Sequence, residues 1–134
     1  MTTGIHAIVW IDSAEARIAS VCAGVTGEIV ERPEHAAHHR RSRAGSREGY
    51  RATVDHVFFQ RVANDLANVK SFMVIGPAEA KTEFVKHLHR YDPQLFPRLS
   101  AVESADHMTE GQLAALARSY FKRADGMIRH PVEV

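Results

Sequence analysis

Residues 72–88, with the sequence FMVIGPAEAKTEFVKHL, decide the fold class of this chain. The four apolar residues at 72–75 predict a strand that is buried on both faces. Gly76 ends this strand, and Pro77 follows at a position that suits the first turn of a helix, because that turn needs no N–H from proline. Apolar residues then recur at helical spacing, at Ala80, Phe84, Leu88 and Tyr91. A buried strand that leads into an amphipathic helix is half of a βαβ unit, so the sequence predicts an α/β domain.

Length and composition indicate one globular domain that spans residues 1–134. The chain is 45% hydrophobic and 25% charged, which is the balance of an ordinary folded domain. Seventeen Lys and Arg residues face sixteen Asp and Glu residues, so the net charge of +1 does not indicate a nucleic-acid binder by itself. The single cysteine, Cys22, excludes an intramolecular disulfide and a cysteine-based zinc site, and we expect it to be buried.

No membrane or export signal is visible in the sequence. No apolar run approaches the roughly 20 residues that a membrane span needs. The amino terminus, MTTGIHAIVWID, lacks the basic start and the cleavage site of a signal peptide. We therefore expect a cytoplasmic protein with no membrane partner.

Three strands are predicted before residues 72–88, at Ile5–Ile11, Ala16–Cys22 and 28–31, joined by tight turns into an antiparallel meander. Thr53 is the predicted cap of a first helix. After residue 91 we expect a short strand at 99–102, and then a helix that starts with the capping box Thr109-Glu110-Gly111-Gln112. Residues 127–134 are predicted to form a loose C-terminal tail.

The predicted order is therefore β-β-β-loop-α-β-α-β-α. A meander followed by two βα units gives a single-domain α/β fold with a five-stranded mixed sheet and three helices.

Residues 34–50, EHAAHHRRSRAGSREGY, form the one stretch without hydrophobic periodicity, and we predict a long loop there. Between His38 and Arg47 the stretch holds four arginines and two histidines, and no acidic residue. Such a loop could neutralise RNA phosphates, or it could be a solvated loop with no ligand. The candidate RNA-binding residues are Arg40, Arg41, Arg43 and Arg47.

Three further groups of residues have a possible binding role. The loop histidines His35, His38 and His39 are weak candidates for metal ligation, but nothing fixes them, and a helix would point His87 and His89 roughly 200° apart. We therefore predict no physiological metal site and no cofactor.

Lys81 lies near a predicted helix N-terminus, where an anion would be favoured, although an exposed lysine with no ligand is the preferred interpretation. Asp12 follows the first strand, at the position where ribonuclease H-like nucleases carry a metal-binding aspartate. Because no acidic cluster assembles around it, we interpret it as a turn residue.

The run VIGPAEAKTEF at residues 74–84 resembles the strand-turn-helix of the middle domain in eukaryotic and archaeal class I peptide-release factors and in their Pelota relatives. The order of elements is also similar. Small bacterial single-domain proteins called "translational machinery protein" are more similar still. Their sequence patterns match residues 9–12, 35–47, 76–83, 87–95 and 113–121. The resemblance covers nearly the whole chain, and it implies a middle-domain fold with a ribonuclease H-like sheet layout.

The resemblance also defines what this chain lacks. The loop of the release factors carries the Gly-Gly-Gln tripeptide that promotes hydrolysis of the peptidyl ester, whereas this chain has Arg43-Ala44-Gly45-Ser46-Arg47 there and no Gly-Gly-Gln anywhere. Peptide release by this chain alone is therefore not expected. Pelota also lacks the tripeptide and still works at the ribosome.

Three functions remain open from the sequence. The first is a non-catalytic protein of the translation machinery that binds the ribosome or a structured RNA and has no catalytic residues. The second is a protein-interaction module that could form a homo-oligomer. The third, and the least favoured, is a metal-dependent nuclease or hydrolase.

Overall fold

The computed structural model describes residues 4–33 and 44–133, and the side chains of residues 4–33 and 55–122. Five strands are present: β1 (Ile5–Ile11), β2 (Ala16–Cys22), β3 (Val25–Glu31), β4 (Val69–Gly76) and β5 (Leu99–Ser104). Three α-helices follow the meander or separate the later strands: α1 (Ala44–Asp65), α2 (Ala80–Tyr91) and α3 (Glu110–Glu133). A short 3-10 helix at Phe96–Arg98 leads into β5. The predicted order of elements is confirmed.

The strands form one mixed sheet in the order β3-β2-β1-β4-β5. The first three strands are antiparallel neighbours, whereas β4 pairs parallel with β1 and β5 pairs parallel with β4. At the centre of the sheet, Val9 lies between Ile18 of β2 and Val74 of β4. The five-stranded mixed sheet with three helices, predicted as a meander followed by two βα units, is thus confirmed.

Helices cover both faces of the sheet, so that β1 and β4 are buried on both sides. On the face covered by α1 and α2, alternate β1 residues such as Val9 pack with Phe58 and Phe84. On the face covered by α3, the intervening residues such as Trp10 pack with Leu113 and Phe121. We call these the α1–α2 face and the α3 face. The predicted double burial of β4 follows from this arrangement, since Phe72, Met73, Val74 and Ile75 are all buried.

Gly76 belongs to the strand, which corrects its assignment to the turn. A Cβ atom at this position would overlap the carbonyl oxygen of Ile11 in β1, so the close approach of two backbones requires glycine. The carbonyl oxygen of Gly76 also accepts a hydrogen bond from the N–H of Ala105, at 2.9 Å. Because the strand continues to Gly76, the bend falls at residues 77–79, and Pro77 does not occupy the first helical turn as predicted.

Two boundaries at α1 and β3 also differ from prediction. Helix α1 begins at Ala44, so residues 44–50 are helical rather than part of the predicted loop, and Thr53 is not its cap. Phe58 and Val62 anchor α1 in the core, and a helix that is already nucleated can propagate because each further residue adds a backbone hydrogen bond. In the meander, β3 begins at Val25 because the turn needs only Ala23 and Gly24, both at positive φ.

The predicted start of α3 is confirmed in atomic detail, whereas its predicted end is wrong. The hydroxyl of Thr109 accepts a hydrogen bond from the N–H of Gln112 at 3.1 Å, and the Gln112 side chain accepts one from the N–H of Thr109 at 2.9 Å. At the other end the helix continues to Glu133, so residues 127–133 are not a loose tail. Helix formers such as Met127 and Arg129 favour this continuation, whereas Gly126 and Pro131 oppose it.

Residues 34–43, which hold most of the predicted loop, lie outside the described residues. Among the helices that are described, none combines the length and the apolar character that crossing a membrane would require.

Candidate nucleic-acid interface

The structure describes the residues on both sides of the arginine-rich stretch, the name we use for residues 38–47. Of the predicted RNA-binding residues, Arg40, Arg41 and Arg43 lie outside the described residues, and the backbone of Arg47 lies in the first turn of α1. The ten residues 34–43 therefore join Pro33, just beyond β3, to Ala44 at the start of α1.

Arg61 of α1 holds the strand end from which this stretch departs. Its Nε donates to Glu31 Oε1 at 3.1 Å, and its guanidinium also donates to the carbonyl oxygen of Arg32. Next to it, the Arg32 guanidinium lies 3.2 Å from Glu15 Oε1. Charge-assisted hydrogen bonds therefore hold the end of β3, at Glu31 and Arg32, in place.

The carboxyl groups of Glu31 and Asp65 lie next to each other near the end of β3. Burial, and then the hydrogen bond and charge of Glu31, raise the pKa of Asp65 to about 7, although Arg61 opposes the shift. Asp65 Oδ2 is buried and has no hydrogen-bond partner in the described part of the chain. Two adjacent carboxyls favour sharing a proton over carrying two charges. No local sequence pattern indicates this pair, because its members lie on β3 and α1.

A second group of charges joins the meander to the start of α3. Arg17 Nε donates to Glu28 Oε2 at 2.9 Å, and its guanidinium also donates to the carbonyl oxygen of Met108. Burial raises the pKa of Glu28, with Arg17 opposing and Glu110 adding to the shift. The small cavity beside them, of about 270 Å³, is lined by three glutamates and two arginines. Its acids make it a poor site for phosphate.

The helix histidines are packing residues, and the loop histidines His35, His38 and His39 lie outside the described residues. His87 is buried and its Nε2 lies 3.2 Å from Gln60 Oε1, between α1 and α2. Burial lowers the pKa of His87, the nearby His56 adds to the shift, and Asp92 opposes it. His89 is exposed and packs on Phe96, so it points away from His87.

Metal-ligating side chains do not converge in the described residues. Within residues 4–33 and 55–122, no group of three His, Cys, Asp or Glu side chains could hold a metal ion. Asp12 Oδ1 instead accepts hydrogen bonds from the N–H groups of Ala14 and Glu15, at 2.8 and 2.9 Å. Asp12 is therefore a turn residue, as interpreted from the sequence.

Lys81 and Cys22 complete the residues singled out in the sequence. The Lys81 ammonium donates to the carbonyl oxygen of Ala78, one turn earlier, and anion binding there stays a prediction. Cys22 is exposed and not buried as predicted, because it lies at the last position of β2, next to the two-residue turn.

A groove that sequence reasoning missed lies on the α3 face, between the start of β1, the β2–β3 turn and α3. Its volume is about 640 Å³. The His6 ring stacks on Phe121, with ring centroids 4.9 Å apart and planes inclined by 19°. Arg118 and Lys122 line the groove from α3. Their spacing of four residues on a helix was the available signal, but the opposite wall comes from distant residues such as His6, which lies 112 positions before Arg118.

Solved structures supply the comparison that bears on the fold. No protein-family model matches the sequence, and a comparison with curated proteins finds no match. Pelota from Archaeoglobus fulgidus shares 20% identity with a TM-score of 0.65, over 98% of this chain and 36% of that one.

Two further solved structures agree with it. Pelota from Thermoplasma acidophilum shares 16% identity with a TM-score of 0.56, over 81% of this chain and 30% of that one. The archaeal translation termination factor aRF1 shares 16% identity with a TM-score of 0.55, over 96% and 41% of the two chains. The chain thus spans 30–41% of the length of these proteins. This chain has the fold of a domain found in Pelota and in an archaeal release factor.

Proposed function

We propose that this protein is a non-catalytic factor of the translation machinery that associates with RNA or with the ribosome. The observation that carries the proposal is the fold likeness to Pelota, with a TM-score of 0.65 over 98% of the chain. The likeness to a protein described as a translation termination factor supports the same role. The protein would act in the cytoplasm, where ribosomes are. Because the chain contains no Gly-Gly-Gln, the proposal does not include peptide release.

The arginine-rich stretch is the proposed RNA contact. Arg40, Arg41, Arg43 and Arg47 come without any acidic residue between His38 and Arg47, so the stretch presents only positive or neutral side chains to phosphates. The hydrogen bonds of Arg61 to Glu31 and to the Arg32 carbonyl fix the end of β3 from which the stretch departs. A contact on a fixed base loses less entropy on binding than one at a free terminus.

The test is co-sedimentation with purified ribosomes across a salt series. Replacing the four arginines with glutamine should abolish co-sedimentation, or reduce the slope of log affinity against log salt by about 3, because each single-stranded phosphate contact contributes about 0.7. Circular dichroism of the variant checks that its fold is unchanged.

The matched control replaces four cations elsewhere, Lys70, Lys81, Lys86 and Arg90, with glutamine. It removes the same charge, so it should leave most of the co-sedimentation intact. Equal loss in the two variants would show general electrostatic attraction and would contradict the role of the arginine-rich stretch. No co-sedimentation of the natural sequence at any salt concentration would refute the proposed function.

One observation favours a second candidate, a homo-oligomeric interaction module. Strand β3 is an edge strand, and its side chains Val25, Ile29 and Val30 are 73%, 45% and 42% exposed. Exposed apolar residues on a free strand edge favour pairing with another chain. A dimer that resists high salt in analytical ultracentrifugation, and that Ile29→Lys dissociates, would support this candidate. No observation in the described residues favours the nuclease interpretation, since Asp12 is held in its turn.

A further inference from the structure

The groove on the α3 face is lined by cations without any acidic residue in its described lining. Arg118 and Lys122 line it from α3, and its lining residues in the described ranges include no carboxylate. The smaller cavity beside Glu28 has a different character, because three glutamates line it together with two arginines. A cleft whose charges have one sign concentrates the electric field, so it attracts an anion more strongly than the same charges on a flat surface. The groove therefore favours an anionic ligand.

Both cations are available to a ligand. They are exposed and lie one turn apart on the same face of α3. Neither Arg118 nor Lys122 forms an ion pair with any residue in the part of the chain that the structure describes. By contrast, Arg17 and Arg61 are paired with glutamates. An anion that binds in the groove therefore does not have to break an ion pair within the protein, which would reduce its binding free energy.

Small residues form much of the groove wall and let a ligand approach the backbone. On α3, Ala115 and Ser119 line the groove next to the two cations. The opposite wall includes Gly4, Ala23 and Gly24, and a Cβ atom on Gly24 would meet no other atom within 4 Å. The groove volume of about 640 Å³ lies within the range of about 300–1,000 Å³ that is typical of ligand sites. The groove is therefore large enough for several linked groups rather than a single small ion.

We infer that this groove binds the backbone of single-stranded RNA, with Arg118 and Lys122 each neutralising one phosphate. Residues four apart on a helix have Cβ atoms about 5–6 Å apart, so two such cations can contact successive phosphates. RNA is the polyanion that the proposed function supplies, so the inference rests on that function. It adds a second contact, because the groove lies on the α3 face, whereas α1, whose first turn holds the end of the arginine-rich stretch, packs on the opposite face.

The primary experiment measures binding of a fluorescein-labelled octauridylate by fluorescence anisotropy across a salt series. The double variant with Arg118→Gln and Lys122→Gln should bind about tenfold more weakly at low salt. It should also reduce the slope of log affinity against log salt by about 1.4, because each single-stranded phosphate contact contributes about 0.7. An affinity and a slope that stay unchanged in this variant would overturn the inference.

The matched control is the double variant with Lys86→Gln and Arg90→Gln. It removes the same two charges from exposed residues that are four apart on α2. Because α2 lies on the other face of the sheet, the control should lower the affinity by less than about threefold. An equal loss in both double variants would show general electrostatic attraction and would overturn the groove as the binding site.

A further pair of variants tests the groove without removing either cation. Ala115→Glu places a carboxylate on the exposed wall, three residues before Arg118, where the two side chains can form an ion pair. This variant should lower the affinity for octauridylate about fivefold, whereas Ala115→Gln, which has the same size and no charge, should stay within about twofold of the natural sequence. Thermal melting checks that both variants fold. Equal affinities for the two variants would contradict an RNA strand in the groove.

Two other ligands separate recognition of the backbone from recognition of a nucleotide. Since the phosphates are the same in every RNA, octaadenylate should bind within about threefold of octauridylate. Free UMP should show no groove-dependent binding by calorimetry, because it cannot present successive phosphates to both cations. UMP binding as strong as octauridylate binding, and lost in the double variant of Arg118 and Lys122, would overturn backbone binding and indicate a mononucleotide site.

Failure of this inference is distinguishable from failure of the proposed function. If the natural sequence sediments with ribosomes and binds octauridylate, but the groove variant behaves like its control, only the groove contact is refuted. If the natural sequence binds neither ribosomes nor octauridylate, both proposals fail. Groove-dependent octauridylate binding in a protein that never sediments with ribosomes would leave the groove contact standing and refute the translation role.

Discussion

The two faces of the sheet differ in whether they hold cations without an ion pair. On the α1–α2 face these polar side chains have partners within the protein. His87 lies against Gln60, and Gln60 donates a hydrogen bond to Asp92 Oδ2 at 2.9 Å. Arg61 forms an ion pair with Glu31. On the α3 face, Arg118 and Lys122 have no ion pair with a described residue and line an open groove.

The difference separates polar groups that position helices from polar groups that are available to a ligand. A buried polar group without a partner costs about 1–3 kcal/mol, so the hydrogen bonds around Gln60 also fix how α1 meets α2. An exposed cation has no such requirement, because water solvates it. The α3 face can therefore keep Arg118 and Lys122 unpaired without loss of stability, although Arg17 on the same face is paired with Glu28.

The largest expected effect comes from a change that damages both faces together. In Gly76→Ala the new Cβ would overlap the Ile11 carbonyl oxygen, so β4 must move away from β1. We expect the free energy of unfolding to fall by about 3 kcal/mol or more, because a backbone atom cannot give way as a side chain can. Urea unfolding, followed by both circular dichroism and the fluorescence of Trp10 on the α3 face, measures the loss.

Gly111→Ala is the control, since a Cβ there meets nothing within 4 Å and alanine suits a helix. It should leave stability unchanged or raise it by up to about 1 kcal/mol. A Gly76→Ala variant as stable as the natural sequence would refute the close-approach argument. Separate transitions for the two probes would show that the two faces unfold independently.

A smaller effect is expected from the carboxyl pair on the α1–α2 face. The pKa of Asp65 is about 7 in the folded protein and 3.8 for the free side chain, so the native state binds more protons between these values. The free energy of unfolding should therefore fall as pH rises from about 4 to about 7. Asp65→Asn removes the second charge beside Glu31, so the variant should lose this part of the pH dependence.

The full pKa shift of Asp65 would correspond to about 4 kcal/mol of stability, but Asp65 is only partly buried. We therefore expect Asp65→Asn to raise the free energy of unfolding by about 1 kcal/mol at pH 8. That gain should raise the melting temperature by about 4 °C, and the difference should vanish near pH 4. Glu103→Gln, at an exposed position of β5, is the control and should change little at any pH. A variant less stable than the natural sequence at pH 8 would show that Asp65 is held by a favourable interaction.

The smallest effect is expected beside the groove on the α3 face. Ala23 has a φ of 53°, a conformation that costs alanine about 1 kcal/mol, and Gly24 follows at 85°. Ala23→Asn gives the Asn-Gly pair that this two-residue turn prefers, so it should stabilise the protein by about 0.5 kcal/mol. Differential scanning calorimetry should show a rise of about 2 °C. Gly24→Ala, the contrasting change, should lower the melting temperature.

The sequence was sufficient to predict the sheet but not the ends of the helices. The prediction placed β1 and β2 at the residues where they occur, because their apolar residues are buried in the two cores and dominate the sequence pattern. It also found the capping box of α3, since Thr109 and Gln112 carry its whole chemistry. The start of α1 at Ala44 was missed because residues 44–50 lack the hydrophobic periodicity from which a helix is predicted.

The candidate sites were predictable only where neighbours in sequence suffice. The arginine-rich stretch is continuous, so its charge is visible in the sequence, and its role stays a prediction. The groove needs His6 from β1 and Arg118 from α3 to meet, and the carboxyl pair needs Glu31 and Asp65 to meet. Such encounters depend on strand order and on where each helix crosses the sheet, which no local pattern contains.

The position of β1 in the sheet also has a consequence for the order in which the chain can assemble during synthesis. One edge of β1 pairs with β2, which follows it after a short turn, but its other edge pairs with β4, which is made only after α1. The meander can therefore form early, whereas the opposite edge of β1 has no partner strand until β4 emerges. Since an open apolar edge invites pairing with other chains, we expect synthesis stalled within α1 to leave an aggregation-prone intermediate.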